Sequence, residues 1–121
     1  MRNRGSRSGE RVTTSAEFKR CYQLGRRLRT PLFTVYAYHS GCGGARLGLT
    51  VGKAIGTAVV RNRVKRRVRE IFRLRKPWVP EGYDLVVRAA PVSAGARYWD
   101  LDAAFCKAMA ELGGEGMHGL A

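Results

Sequence analysis

The residues in this chain best suited to chemistry are cationic and closely spaced. Between Thr57 and Lys76, in TAVVRNRVKRRVREIFRLRK, nine Lys or Arg (Arg61, Arg63, Lys65, Arg66, Arg67, Arg69, Arg73, Arg75, Lys76) accompany one acid, Glu70. Groups of this kind suit phosphate oxygens: Arg offers a planar fork of donors and Lys a compact charge. Val60, Val64, Val68, Ile71 and Phe72 recur at spacings of three and four, so on a helix they collect on one side. Arg61, Lys65, Arg66, Arg69 and Arg73 then share an arc of about 150° facing away from that stripe. A solvated face usually mixes signs, yet Arg61 with Lys65, Lys65 with Arg69 and Arg69 with Arg73 are like pairs one turn apart. Such self-repulsion implies a polyanionic partner.

Catalysis has far less to work with. From residue 18 to residue 69 there are thirteen Lys or Arg and no Asp or Glu, so no two-metal centre can be assembled around the basic helix. His39 lies beside a loop and His118 in the terminal tail, which argues against an acid-base pair. Cys21, Cys42 and Cys106 are odd in number and widely spaced. They predict neither a disulfide framework nor a zinc site, but small thiols in a reducing compartment. In GKAIG, Gly52 to Gly56, Lys53 precedes the second Gly, the reverse of a phosphate loop. No catalytic residue and no metal ligand is expected in this chain.

Composition agrees. The 121 residues suffice for one domain, and the net charge of +14 points to nucleic acid before an anionic membrane. No apolar run approaches the roughly 20 residues that span a bilayer. The basic start MRNRGSRSGER is followed by no signal-like segment, so the protein is expected in the cytoplasm.

The flanking segments must position the basic helix. Residues 1–12 read as a flexible basic arm, 13–112 as a single domain and 113–121 as a disordered tail. Thr14 and Glu17 fit a capping box opening a helix that closes at Gly25, with Phe18, Cys21, Tyr22 and Leu24 on one face. Core packing is the first expectation for Phe18 and Tyr22. The stretches from Leu32 to Tyr38 and from Arg46 to Val51 read as two strands of a hairpin. Phe33, Val35 and Ala37 would face the core, leaving Thr34 and Tyr36 beside Gly48 and Thr50. An exposed Tyr36 could stack unpaired bases, or it could pack beneath a helix. Thr57 caps the basic helix and Pro77 ends it. YDLVVRA, Tyr83 to Ala89, is a third strand whose LVV run suggests burial on both sides. Asp100 or Asp102 opens a last helix, with Leu101, Ala104, Phe105, Ala108 and Leu112 inward.

The run LGLTVGKAIGTAVVRNRVKRRVREIFR, Leu47 to Arg73, resembles the signature of the protein subunit of bacterial ribonuclease P, with its hallmark RNR at Arg61, Asn62 and Arg63. Phe18 with Tyr22, Phe33 with Tyr36, and YDLVV followed by Ala-Ala-Pro agree in order and spacing. The resemblance implies an α+β fold: a two-layer α/β sandwich of order α-β-β-β-α-β-α with a left-handed βαβ crossover, similar to the second domain of a ribosomal small-subunit protein. Its additional strand would come from residues 26–31 or from splitting the stretch near Leu47 to Gly52.

By the same resemblance the chain assists removal of the 5′ leader from precursor tRNA. The catalytic centre and its Mg²⁺ would belong to the RNA subunit, and the partners would be that RNA and precursor tRNA, with no membrane and no DNA. The resemblance assigns Arg61, Asn62, Arg63, Lys65, Arg66 and Arg69 to the RNA subunit. It assigns Phe18, Tyr22, Tyr36 and Lys53 to the leader, which favours stacking over core packing for the rings. Ala54 and Thr57 depart from a frequent Lys and a frequent Asn. The alternative is a ribosomal-type structural RNA-binding protein; an autonomous nuclease is disfavoured by the lack of acids.

Overall fold

The computed structural model describes residues 11–41 and 43–113. Its elements are α1 (Ser15–Leu24), β1 (Arg26–Arg29), β2 (Phe33–His39), β3 (Arg46–Thr50), α2 (Ala58–Arg75), β4 (Tyr83–Ala89) and α3 (Tyr98–Leu112), the expected order. Short 3₁₀ turns at Lys53–Ile55, Lys76–Trp78 and Pro91–Gly95 join them.

The four strands form one sheet of order β1-β2-β4-β3. β2 pairs antiparallel with β1 and β4, while β3 lies parallel to β4. The expected β2–β3 hairpin is therefore absent. β4 carries Leu85, Val86 and Val87, all buried, so it takes the position covered on both faces and separates the two. The fourth strand is Arg26–Arg29. Of the two expected sources of the additional strand, residues 26–31 supply it; their own pattern is weak because a single residue, Leu28, opposite Val35, points inward.

The pleat of the sheet sorts its residues onto two faces. Leu28, Phe33, Val35, Leu47, Leu85 and Val87 meet Val64, Val68, Ile71 and Phe72 of α2 and Leu101, Phe105, Ala108, Met109 and Leu112 of α3. Phe72 and Phe105 join those helices edge to face, 6.4 Å between centroids. This is the two-layer body. On the opposite face α1 covers part of the sheet, where Val12, Cys21 and Val86 are buried with Phe18, Tyr22, Tyr36 and Tyr38 packed around them. Leu24, expected on that face, is exposed.

Helix ends follow local chemistry. The Thr14 hydroxyl accepts the Glu17 N–H at 3.2 Å while the Glu17 carboxylate accepts the Thr14 N–H at 3.3 Å, a full capping box. A Cβ on Gly25 would lie 2.5 Å from the Cys21 carbonyl oxygen and 3.1 Å from that of Ala37, so only glycine lets the chain turn into β1. Thr57 caps α2 through the Val60 N–H, as expected. The last helix begins earlier than either expected position, because Asp100 acts in its first turn, accepting the Arg97 backbone N–H at 3.2 Å.

The domain also begins earlier than expected. Val12 is buried and donates its N–H to the Leu47 carbonyl at 3.0 Å, so residues 11 and 12 belong to the domain. The rest of the expected arm, 1–10, and the tail from 114 onward lie outside the described residues. Among the described residues no helix is long and apolar enough to cross a membrane.

Candidate nucleic-acid interface

The wheel of α2 sends its cations to different neighbours. Asn62, Arg66 and Arg69 border a shallow depression of about 400 Å³ on the crest, with Arg73 and Glu70. Glu70, the helix's one acid, pairs with Arg73 at 2.6 Å. Lys65, with Arg69 and Arg73, turns toward α1 and borders a second cavity of about 340 Å³ that wraps past β3 to Phe18 and Arg11. Arg63 and Arg67 lie on the other flank, donating to the carbonyls of Ala94 (3.3 Å) and Ala96 (2.8 Å). Arg61 turns back to the Gly56 carbonyl at 2.9 Å. Of the six positions expected to meet the RNA subunit, three share the crest and three diverge from it.

The aromatic residues come together. Ring centroids are 6.5 Å apart for Phe18 and Tyr22 and 4.8 Å for Tyr22 and Tyr36, the latter pair edge to face. The Tyr22 and Thr50 hydroxyls share a hydrogen bond. Arg27 lies over the Tyr36 ring and Arg20 over the Tyr38 ring, 5.9 Å and 5.3 Å from the centroids. All three rings of the run are half-buried, so each packs on one side and faces outward on the other. Phe18 rests on Gly48, where a Cβ would stand 2.9 Å from its ring.

β4 intervenes between Tyr36 and Gly48 and between Thr34 and Thr50, setting Val86 and Arg88 in the intervening register. Arg88 therefore lines a cavity of about 430 Å³ together with Tyr36, Thr50 and Ala54. Lys53 is exposed in the adjoining 3₁₀ turn and does not line that cavity. Ala54 borders it instead, and Arg88 supplies a positive charge to its wall.

A buried charge cluster fixes α1. Arg46 donates from Nε and Nη2 to both oxygens of Asp84, at 2.9 and 2.8 Å, and from Nη2 to Glu17 at 2.9 Å. Burial pushes the Glu17 carboxyl up, but the Arg46 hydrogen bond and the N–H groups of Thr13 and Thr14 outweigh it and hold the group at about 2. Hydrogen bonds to Asp84 raise the Arg46 guanidinium above its ordinary range. Burial pushes the Cys21 thiol up to about 11, so it remains an inert neutral packing group. Among the described residues no group of three or more His, Cys, Asp or Glu could hold a metal ion.

Sequence reasoning gave no role to Arg11 or Arg88 and counted Arg67 among the helix cations without assigning it a partner. Arg67 stood one turn from Arg63, and its place on that flank could have been found from the spacing. Arg88 could be placed beside Tyr36 only once β4 was known to be central.

The family described as Ribonuclease P matches residues 7–113. A ribonuclease P protein component of Clostridium kluyveri is 38% identical over 94 residues, covering 76% of this chain and 84% of the relative. One from Acidothermus cellulolyticus is 36% identical over 104 residues, covering 84% and 87%. The solved RNase P protein of Thermotoga maritima superposes with a TM-score of 0.76 at 30% identity, covering 83% of this chain and 94% of that one. These matches displace the ribosomal-type alternative. With the order of its elements and Arg61-Asn62-Arg63 at the head of α2, the chain belongs to the ribonuclease P protein family and serves tRNA 5′-end processing as a subunit of that enzyme.

Proposed function

We propose that the chain docks the crest of α2 on the catalytic RNA subunit and holds the 5′ leader of precursor tRNA along Phe18, Tyr22 and Tyr36. The observation that carries this reading is the continuity of that ring run with two cation-lined cavities, one bordered by Lys65 and Arg69 and the other by Arg88. Rings stack bases without regard to identity, and flanking cations track phosphates, which suits leaders of varied sequence. Lys53, exposed at the end of the run, adds a further phosphate contact.

Phosphodiester hydrolysis is supplied by the RNA subunit with its Mg²⁺. The carboxylates nearest the proposed interface are already engaged: Glu17 and Asp84 by Arg46, and Glu70 by Arg73. The chain's own work is to bind, orient and neutralise charge, in the cytoplasm, where precursor tRNA is met.

Cleavage of precursor tRNA at low Mg²⁺, with the cognate RNA subunit and with or without the protein, tests the reading. Protein should raise the rate or the substrate affinity. Phe18→Ala and Tyr36→Ala should weaken leader-bearing substrate while sparing mature tRNA. Equal losses on both RNAs would refute the leader cleft, and no response to wild-type protein would refute the whole reading.

A further inference from the structure

Trp99 lies beside the Arg63 and Arg67 flank of α2, away from the aromatic run. It sits in the first turn of α3 and leaves 63% of its surface exposed. The Arg97 guanidinium lies over its ring, 5.5 Å from the centroid. With Arg63, Arg67 and Tyr98, these two residues border a depression of about 490 Å³.

Folding does not account for this arrangement. Tyr98 packs against the core, whereas the larger indole beside it forgoes the stabilisation that burial would bring. Among the described residues the ion pairs are made by Arg46, Arg73 and Arg75, and none involves Arg63, Arg67 or Arg97. Asp100 is engaged with the Arg97 backbone N–H at 3.2 Å, and Asp102 is gripped by Arg75 at 2.9 and 2.6 Å. Each guanidinium carries five N–H donors, and Arg63 and Arg67 direct only part of theirs to the Ala94 and Ala96 carbonyls. An open indole face among phosphate-binding groups is complementary to a nucleotide: the base stacks and the backbone meets the cations.

We infer that Trp99, framed by Arg63, Arg67 and Arg97, is a stacking platform for an unpaired nucleotide of the RNA subunit. The inference rests on the proposed docking along α2. The crest of Asn62, Arg66 and Arg69 lies between the platform and the ring run, so an RNA seated on the crest reaches Trp99. A leader held on α1 would have to cross the helix to do so.

The protein contains a second tryptophan, Trp78, so the test uses Trp78→Phe as the background. Titration with the cognate RNA subunit should quench the remaining Trp99 emission. Trp99→Ala should bind that RNA at least about fivefold more weakly, with Trp99→Phe losing less than half as much. Thermal melting of the Trp99 variants should match the parent, because the ring is exposed. Emission unchanged by RNA, a smaller loss for Trp99→Ala, or an equal loss for Trp99→Phe would overturn the platform. If wild-type protein fails to bind the RNA subunit at all, the proposed function falls and this inference with it.

Discussion

Arg46 and Asp84 meet in a two-pronged pair inside the domain, with bonds of 2.9 and 2.8 Å, and Asp84 is only 1% exposed. Because Arg46 also grips Glu17, the pair ties β3 and β4 to the first turn of α1, the helix that carries Phe18 and Tyr22. Arg46→Met strands the buried Asp84 carboxylate and should cost about 3–5 kcal/mol of stability in urea unfolding. Where the variant remains folded, leader affinity should fall with it, since α1 loses its anchor.

The Glu17 carboxyl titrates at about 2 in the folded chain against an ordinary 4.5. The folded value is the lower one, so this contribution is complete above about pH 4.5 and is lost as pH falls toward 2. Solvent screening limits it to about 1 kcal/mol. Glu17→Gln should therefore be less stable than wild type by about that amount at pH 7. Urea midpoints measured down through pH 4 and 3 should converge.

Gly48→Ala brings a Cβ to 2.9 Å from the Phe18 ring and 3.0 Å from the Val12 Cβ. Relief requires the ring to move outward. We expect about 1–3 kcal/mol of destabilisation and a weaker leader complex, with binding to the RNA subunit retained. Thermal melting paired with binding to the two RNAs separates these effects.

Arg66 and Arg69 border the crest depression, and both are exposed. Replacing either with Ala should reduce affinity for the RNA subunit and lower the slope of log affinity against log salt by up to about one. Nitrocellulose filter binding across a salt series measures both quantities. Arg61→Ala should act differently, loosening the turn before α2 through loss of its bond to Gly56.

Much of this was legible because it follows from local periodicity. The capping box at Thr14, the α2 stripe from Val64 to Phe72 and the alternation in Phe33, Val35 and Ala37 all appear as read. Strand neighbours were not legible: Arg46 to Thr50 alternates as an edge strand of either partner would, and the LVV run of β4, though read as buried on both sides, does not say which strands flank it. The same non-local fact kept Arg88 hidden, while the sheet's first strand, RRLR, was expected only as one of two sources of the additional strand, because Leu28 alone points inward. The RNR run was plain in the sequence, but its residues part company because a helix turns about 100° per residue and Arg63 meets Ala94.

The short bridge between Arg11 and Leu47 bears on how copies of the protein tolerate crowding. Free in solution, a net charge of +14 holds molecules apart by mutual repulsion. RNA cancels that repulsion at the moment it gathers protein together. The outer edge of β3 would then be a ready template for strand-to-strand polymerisation, and the Val12 N–H, seated on the Leu47 carbonyl, already occupies part of it. Chains trimmed past residue 12 should stay dispersed alone and associate when a polyanion is added.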